Sequence, residues 1–288
     1  MGRARQTFER RQLGLTLRRL RAEAGKSQQE AATAIGKARS RVVQLEDGEG
    51  APAAADLDAL LDLYAVPVEG RETVRALAVE ARKRQGRRSY VDSLPNAYQR
   101  FADLEASATA VSTFEPGIIP GLLQAPAFVR AVIEEWSEIF PEEQPTEIED
   151  RVAFRLARHA RVFSASGPRS VRAIVDEQSL RSAIGDVGVM RDQLRHLLAL
   201  IEEHPRLDLR VLPRGSFAHP GRGGGLTIFE FGGRGPAVAF SSVVYGPSVY
   251  LDAESDLTVM SRIFETTYRS ALDPEDSRSA IERALQEA

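Results

Sequence analysis

The chain has 288 residues, 43% of them hydrophobic and 27% charged, with a net charge of −3 and no cysteine. This length favours two domains with a core each, and the missing cysteines exclude disulfides, thiolate metal sites and cysteine nucleophiles. No apolar run approaches the roughly 18 to 20 residues that span a bilayer, and the first residues lack a secretory apolar segment, so we expect a cytoplasmic protein.

The small net charge conceals an uneven distribution of charged residues. Residues 1–48 hold eleven Lys or Arg against five Asp or Glu, so the rest of the chain is acidic on balance. A basic first part suggests a contact with a polyanion at that end of the chain. The alternative is a charged surface that is merely solvated.

Five helices are predicted in the first part of the chain, because apolar residues recur there at helical spacing between capping and stop signals. The second helix is the best delimited, since "SQQE" has the form of a capping box at Ser27 and Gly36 ends the helix. The predicted helices lie over 9–24, from Ser27 to Gly36, from Arg39 to "EDGEG", in "AAADLDALLDLYAVP" before Pro67, and over 68–85.

The second and third helices, joined by the tight turn at Gly36, match the helix-turn-helix arrangement. Residues placed at 100° intervals along the third helix put Val42 and Leu45 inward. The side chains that then face outward and are suited to base edges are Arg39, Ser40, Val43 and Gln44. The side chains predicted to hold DNA phosphates are Gln28, Arg18, Arg19, Lys26, Lys37 and Arg41.

A likeness to a known family rests on three stretches, "LRRLRAEAGKSQQEAATAIG", "RSRVVQLEDGE" and "LDALLDLYAVP". Through them, residues 13–66 resemble the phage-repressor-like, or xenobiotic-response-element (XRE), family of helix-turn-helix domains. The resemblance implies a five-helix domain whose third helix reads the major groove, with reading positions at Gln28, Gln29, Arg39, Ser40 and Gln44. Ala38 stands where the family usually has a Ser or Thr cap, which leaves the start of the third helix open. The alternative is a helical interaction module that does not bind DNA.

The basic stretch "RKRQGRRSY" is predicted to separate the two domains, which gives a DNA-binding domain at 1–86 and a second domain at 87–288. This stretch is either an arm that contacts DNA phosphates or a solvated linker. In the second domain, helical and β-branched segments alternate, which predicts an α+β fold with a small sheet. The predicted helices are 95–112, 125–136, 146–164, 187–203, 253–271 and 275–287, and the predicted strands are 170–176, 207–213, 226–231 and 237–242.

The second domain carries a further likeness, through "FEPGIIPGLLQAPAFVRAVI", "RVAFRLARHARVF", "VDEQSLR", "MRDQLRHLL", "RVLPRGSFAHPG", "FEF" and "SVYLD". Residues 90–281 resemble a domain of unknown function, the DUF5753 type, found behind such DNA-binding domains in actinobacterial regulators. The resemblance implies a sensory or partner-binding role, often with a small protein encoded next to the regulator. The chain departs from the family pattern in "RRSYVDSLP" and in "AFSSVVYGP".

Two segments of the second domain are candidates for an effector or partner groove. "TFEPGIIPGLLQ" is bent and mostly apolar, and "RGSFAHPGRGGG" combines glycines with Arg214, His219 and Arg222 in a loop that could accept an anion. The candidate groove residues are Phe114, Ile118, Ile119, Leu122 and His219. Alternatively, the apolar residues belong to an ordinary core and the loop is a flexible hairpin connection. We favour these two interpretations over a binding groove.

The sequence carries no catalytic or metal motif. The four histidines lack the spacing of a metal site, and no Gly-x-Ser-x-Gly elbow occurs. Asp176 and Glu177 follow an apolar strand, where acids can act in catalysis, but acids at the start of a helix explain them better. We therefore predict no catalytic residue, no metal and no cofactor.

These features together predict a transcription regulator that binds double-stranded DNA. One recognition helix contacts only a few base pairs, so we expect a homodimer on an inverted-repeat operator. The second domain is expected to bind an effector or a small partner protein encoded nearby. The alternatives are a DNA-tethered enzyme or toxin-like domain and a protein-interaction scaffold.

Overall fold

The computed structural model describes residues 6–83, 89–91, 97–139, 145–216, 219–243 and 248–288. Residues 6–83, here called the helical unit, form five helices, as predicted. Their bounds are α1 Phe8–Glu23, α2 Gln28–Ala34, α3 Arg39–Glu46, α4 Ala54–Leu63 and α5 Val68–Arg82. The basic stretch predicted as the domain boundary includes residues 84–88, which lie outside the described residues.

The ends of α2 and α3 show how the sequence sets the turn between them. Both bonds of the predicted capping box are present, since the Ser27 hydroxyl accepts from the Glu30 backbone N–H and the Glu30 carboxylate accepts from the Ser27 backbone N–H. Gly36 has a φ of +62°, a left-handed conformation that favours glycine after a helix. Ala38 forms no side-chain cap bond, and α3 begins directly after it at Arg39. The missing cap residue therefore does not displace the start of α3.

One apolar core holds the five helices together. Leu13 and Leu17 of α1 pack with Val42 and Leu45 of α3, and all four side chains are at most 1% exposed. The remaining buried members come from α2, α4, α5 and their connections: Ala31, Ala32, Ile35, Leu57, Leu60, Leu61, Tyr64, Val66, Val74, Leu77, Ala78 and Ala81. Because α3 is fixed from its inner side, its opposite side is left for other contacts.

The described residues between 89 and 288, here called the sheet unit, form the predicted α+β fold around a seven-stranded sheet. The strands are β1 Ser89–Val91, β2 Ala110–Glu115, β3 Ser170–Asp176, β4 Leu207–Leu212, β5 Leu226–Glu230, β6 Val238–Ser241 and β7 Val249–Leu251. The helices are α6 Ala97–Ser107, α7 Pro126–Ile139, α8 Pro145–Phe163, α9 Val187–Glu203, α10 Glu254–Ser270 and α11 Pro274–Glu287. Short 3-10 turns span Gly121–Leu123, Glu177–Arg181 and Pro220–Gly223.

The sheet is mixed, with the strand order β1-β7-β6-β5-β2-β3-β4. The strands β2, β3 and β4 run parallel, whereas β5, β6, β7 and β1 continue the sheet antiparallel from the other side of β2. The helices α7, α9 and α11 cover one face of the parallel part, and α10 covers the other with Phe264 and Tyr268. The carboxyl ends of the three parallel strands consequently lie together at one edge.

Two predictions for the sheet unit were wrong in detail. The helix predicted over 95–112 ends at Ser107, and the chain then forms β2, the central strand, over Ala110–Glu115. The loop "RGSFAHPGRGGG" joins β4 to β5, which are not neighbours in the sheet, so it is not a hairpin connection. In both cases the sheet order, which the local pattern does not reveal, decides the conformation.

The helix α1 packs against both units. Its first residue, Phe8, is 2% exposed and belongs to an aromatic cluster of the sheet unit, with ring centroids 5.0 Å from Tyr90 and 4.6 Å from Tyr250. The Phe8 backbone N–H also donates to the Asp252 carboxylate at 3.0 Å. The first helix therefore contributes side chains to two cores.

Candidate nucleic-acid interface

The outward face of α2 and α3 presents the side chains predicted to read bases. Gln29, Arg39, Ser40 and Gln44 are exposed, and Val43 is half-buried. The inward residues Val42 and Leu45 are each 1% exposed, as the angular placement predicts. The five predicted base-reading residues are thus accessible or partly accessible at the surface, which fits a role in DNA contact.

A chain of hydrogen bonds holds Arg39 in place. The Arg39 Nε and Nη2 atoms donate to Gln28 Oε1 at 3.3 and 3.2 Å, and Gln28 Nε2 donates to Glu46 Oε2 at 2.9 Å. Both ends of the Gln28 amide are therefore used within the protein. Gln28 was predicted to hold a phosphate, and in this arrangement its amide orients the guanidinium of Arg39 instead.

The buried carboxylate of Glu46 connects α1, α2 and α3. It is 2% exposed, and it accepts from Arg21 Nε at 2.6 Å and from Arg21 Nη2 at 3.0 Å. Arg18 Nε lies 3.6 Å from the same carboxylate. The hydrogen bond to Glu46 raises the pKa of Arg21. This pair was not predicted, although Glu46 follows Val42 by one helical turn, which places it on the inward face.

The predicted phosphate-binding side chains differ in how free they are. The Lys37 side chain is exposed and makes neither an ion pair nor a hydrogen bond within the described ranges. Lys26 lies 3.8 Å from Glu30, and Arg18 Nη2 donates to Asp47 at 2.6 Å. Arg41 Nη2 donates to the Ala51 carbonyl at 3.2 Å. Lys37 is therefore the member of this set that is most available to a phosphate.

Arg19 is placed differently from its predicted role. Its Nε atom donates to Asp103 Oδ2 of α6 at 3.0 Å, and its Nη1 atom donates to Glu23 at 3.2 Å. The Asp103 side chain is 4% exposed, so this ion pair lies inside the contact between the two units. Two of the three guanidinium nitrogens thus bond to carboxylates, so Arg19 joins the units rather than presenting a free charge.

Arg11 makes a second contact between α1 and the sheet unit. Its guanidinium carbon lies 3.6 Å from the centroid of the Phe231 ring, a cation–π geometry. Its Nη2 atom donates to the Arg234 carbonyl at 3.0 Å. Burial lowers the pKa of Arg11 to about 10, with a further contribution from the charge of Arg234. The helix α3 and the sheet unit thus both pack against α1.

The residues predicted to form the effector groove lie in two different places in the structure. Ile119 and Leu122 are 0% and 2% exposed in the main core of the sheet unit, and Ile118 packs against that core, so these three residues do not form a groove. Phe114 and His219 instead line a cavity of about 180 Å³. Its other lining residues are Pro116, Asp176, Gln178, Leu212, Pro213, Arg214 and Arg222.

The acids after β3 serve the local fold. Asp176 Oδ1 accepts from the Gln178 backbone N–H at 3.0 Å and so caps the following 3-10 turn. Glu177 accepts from the Arg214 backbone N–H at 2.9 Å and from Arg181 Nη1 at 3.1 Å. This arrangement favours the interpretation of the two acids as the start of a helical turn. Among the described residues, no three His, Asp or Glu side chains form a group that could hold a metal ion.

Two comparisons with protein-family models returned matches. A model described as a helix-turn-helix domain matches residues 12–74, and a model described as a domain of unknown function (DUF5753) matches residues 98–283. No curated protein and no solved structure matches the chain significantly. None of the helices in the described ranges has the length and apolar character that crossing a bilayer requires.

Proposed function

The chain belongs to the DUF5753 family and carries a helix-turn-helix domain. We propose that it is a sequence-specific DNA-binding transcription regulator of the XRE type. The DNA-binding domain is 1–86 and the regulatory domain is 87–288. The observation that carries the proposal is the accessible face of α3, where Arg39, Ser40 and Gln44 are exposed while Val42 and Leu45 are buried.

The chemistry of that face suits a DNA major groove. Arg39 can donate two hydrogen bonds to a guanine, Gln44 can pair with an adenine, and Ser40 can serve either base. The Val43 methyl groups can meet a thymine methyl, and Gln29 extends the face from α2. Lys37 and Lys26 supply salt-dependent attraction to phosphates on either side.

The regulator is proposed to act as a homodimer. A single α3 of eight residues contacts only a few base pairs, whereas two copies on half-sites one helical turn apart multiply the specificity. The expected operator is therefore an inverted repeat. The sheet unit is proposed to bind an effector or a small partner protein, and its contact with α1 through Arg19 and Arg11 offers a physical connection to the DNA-binding helices.

The proposal is tested by genome-wide immunoprecipitation of the tagged full-length protein followed by sequencing. The expected result is a small set of sites that share an inverted repeat. The recovered site is then labelled and titrated with purified protein by fluorescence anisotropy, against a scrambled duplex of equal length and composition. Equal affinity for the recovered and scrambled duplexes, or no enrichment at any site, would contradict sequence-specific binding. Light scattering of the complex gives the number of chains per operator.

A further inference from the structure

The cavity of about 180 Å³ lies at the carboxyl ends of the three parallel strands. Each strand supplies a lining residue just after its end: Pro116 follows β2, Gln178 follows β3 and Arg214 follows β4. In open sheets with parallel strands, this edge is where ligands generally bind, because the loops leaving neighbouring strands surround a crevice there. The position of the cavity thus points to a binding site rather than to a packing defect.

The charges around the cavity favour an anion. Arg214 and Arg222 line it, and neither guanidinium makes an ion pair with a carboxylate in the described part of the chain. Arg222 Nη2 donates to the Ser216 carbonyl at 2.6 Å, which fixes that side chain. Asp176 is the one acid among the described lining residues, and it already caps a 3-10 turn. Two cations against one anion leave a surplus of one positive charge.

His219 adds a neutral polar group to the same wall. Burial lowers its pKa, with a further contribution from Arg222, so the ring is neutral at pH values above its ordinary 6.5. Its Nδ1 atom is buried and has no hydrogen-bond partner among the described residues. Buried polar atoms in folded proteins are nearly always paired, so an unpaired one beside a cavity is consistent with a ligand that would complete it.

The wall of the cavity that carries these groups is closely packed. The turn Pro220–Gly223 lies against Phe114, since a Cβ atom on Gly221 would come within 2.5 Å of Phe114 Cε1. This contact places the turn that follows His219 against β2. Phe114 and Leu212, which are 1% and 2% exposed, supply an apolar part of the lining. A ligand for this cavity therefore needs both a charged and an apolar part.

We propose that the cavity binds a small organic monocarboxylate and is the effector site of the protein. A carboxylate matches the fork of a guanidinium, and a single negative charge balances the surplus charge of the lining. The cavity volume of about 180 Å³ suits a small ligand. Binding of the carboxylate is independent of DNA, whereas its role as an effector rests on the proposed function.

Only a short segment of the chain separates the cavity from a contact with the helical unit. The loop bearing His219 and Arg222 leads directly into β5, which begins at Leu226. One residue beyond the end of β5, the ring of Phe231 lies under the guanidinium of Arg11 on α1. A ligand that changes the position of the loop therefore acts on a strand that ends at the contact between the units.

Isothermal titration calorimetry of the full-length protein without DNA tests the binding. The probes are acetate, isobutyrate and benzoate, with benzamide as the uncharged counterpart of benzoate and inorganic phosphate as an anion without an apolar part. The variants are Arg214→Gln and Arg222→Gln, and the control is Arg191→Gln, an exposed arginine of α9 that does not line the cavity. Circular dichroism establishes that each variant is folded.

The expected result is binding of benzoate or isobutyrate, with no binding of benzamide. Loss of one charge-assisted hydrogen bond should weaken carboxylate binding about tenfold or more in Arg214→Gln and Arg222→Gln, and Arg191→Gln should equal the wild type. Failure of all three carboxylates at millimolar concentration would overturn the proposal, as would equal binding of benzoate and benzamide. Binding of phosphate alone, or equal affinity in the cavity variants and the control, would also overturn it.

A separate measurement distinguishes this proposal from the proposed function. The operator affinity is titrated with and without the bound carboxylate. A carboxylate that binds in the calorimeter but leaves operator affinity unchanged overturns the effector role and leaves the binding site standing. Absence of any specific operator would contradict the proposed function, and the calorimetric result would be unaffected.

Discussion

Arg21 and Glu46 lie on different helices, and the Arg21 Nε atom donates a 2.6 Å hydrogen bond to Glu46 Oε1. The Glu46 side chain is 1% exposed and the Arg21 side chain is 15% exposed, so the pair is shielded from water. Gln28 bonds to the same carboxylate and also accepts from Arg39. The position of an exposed arginine on α3 is thereby tied to a buried ion pair beneath it.

The variant Glu46→Gln should destabilise the protein by about 3 kcal/mol, because it removes the buried partner of the half-buried Arg21 guanidinium. Urea denaturation followed by circular dichroism measures the free energy of unfolding. The matched control is Asp58→Asn, which breaks an ion pair with Arg75 whose side chains are 49% and 50% exposed. That change should cost less than about 1 kcal/mol. Similar losses in the two variants would contradict the buried role of Glu46.

Gly14→Ala tests the close approach of α1 to α3. A Cβ atom on Gly14 would lie 2.6 Å from the Leu45 carbonyl oxygen and 2.7 Å from that of Glu46, and backbone atoms cannot rotate away. We expect a loss of about 2 kcal/mol or more in the free energy of unfolding, together with weaker DNA binding as α3 is displaced. Gly215→Ala is the control, because no atom lies within 4 Å of its Cβ position. A stable Gly14→Ala variant would show that the helices are not in this contact.

The helical unit could be predicted from the sequence because its signals are local. The capping box at Ser27, the glycine turn at Gly36 and the helical spacing of apolar residues lie within a few residues of the elements they define. The outward face of α3 followed from the angle between successive residues alone. These helices and the outward face of α3 can therefore be predicted without the rest of the chain.

The strand β2 could not be predicted by the same means. The four residues Val111, Ser112, Thr113 and Phe114 are all buried, so the alternation of buried and exposed positions that marks a half-buried strand is missing. It also follows α6 after only two residues, and the segment was assigned to that helix. The strands β1 and β7, of three residues each, are too short to give a pattern.

The contacts that complete the candidate sites join residues far apart in the sequence. Arg21 and Glu46 are separated by 25 positions, and Arg19 and Asp103 by 84. The composition of α1 shows arginines but not which carboxylates they meet. The cavity residues come from three strand ends and one loop, and only the folded sheet brings them together.

Phe8→Ala should destabilise the sheet unit although Phe8 belongs to the first helix. The Phe8 ring is 2% exposed and contacts Tyr90 and Tyr250, and truncating such a side chain typically costs about 3 to 5 kcal/mol. The measurement is chemical denaturation followed by tyrosine fluorescence. Val259→Ala, at a position 55% exposed on α10, is the control and should change stability by less than about 0.5 kcal/mol. An unchanged denaturation midpoint in Phe8→Ala would show that α1 does not stabilise the core of the sheet unit.

The stability of the protein should fall as the pH drops below the ordinary histidine pKa of 6.5. Burial lowers the pKa of His196, and the nearby His159, whose ring centroid is 5.5 Å away, lowers it further. Because the unfolded chain binds the proton first, the stability that exists above pH 6.5 is lost as the pH falls toward the lower folded value. Urea denaturation at a series of pH values should show this slope, and His196→Gln should reduce it. Parallel pH profiles for the two proteins would contradict this assignment.

Arg39→Ala and Lys37→Ala should separate base reading from phosphate contact on the same exposed surface. If Arg39 bonds to a guanine, its removal should weaken binding to the operator by about 1 to 3 kcal/mol and leave a scrambled duplex nearly unaffected. Lys37 has no ion pair among the described residues, so its removal should weaken both duplexes alike. The plot of the logarithm of the binding constant against the logarithm of the salt concentration should also become less steep, by about one unit of slope.

The contrast between these two variants decides what α3 does. Anisotropy titrations at several salt concentrations measure both affinities, with Arg191→Ala on the sheet unit as the control for loss of one positive charge. If Arg39→Ala weakens the operator and the scrambled duplex equally, Arg39 acts as a phosphate contact, and the hydrogen bonds from Gln28 then position a charge rather than a reader of bases. A loss confined to the operator means that Arg39, whose guanidinium donates to Gln28, reads a base.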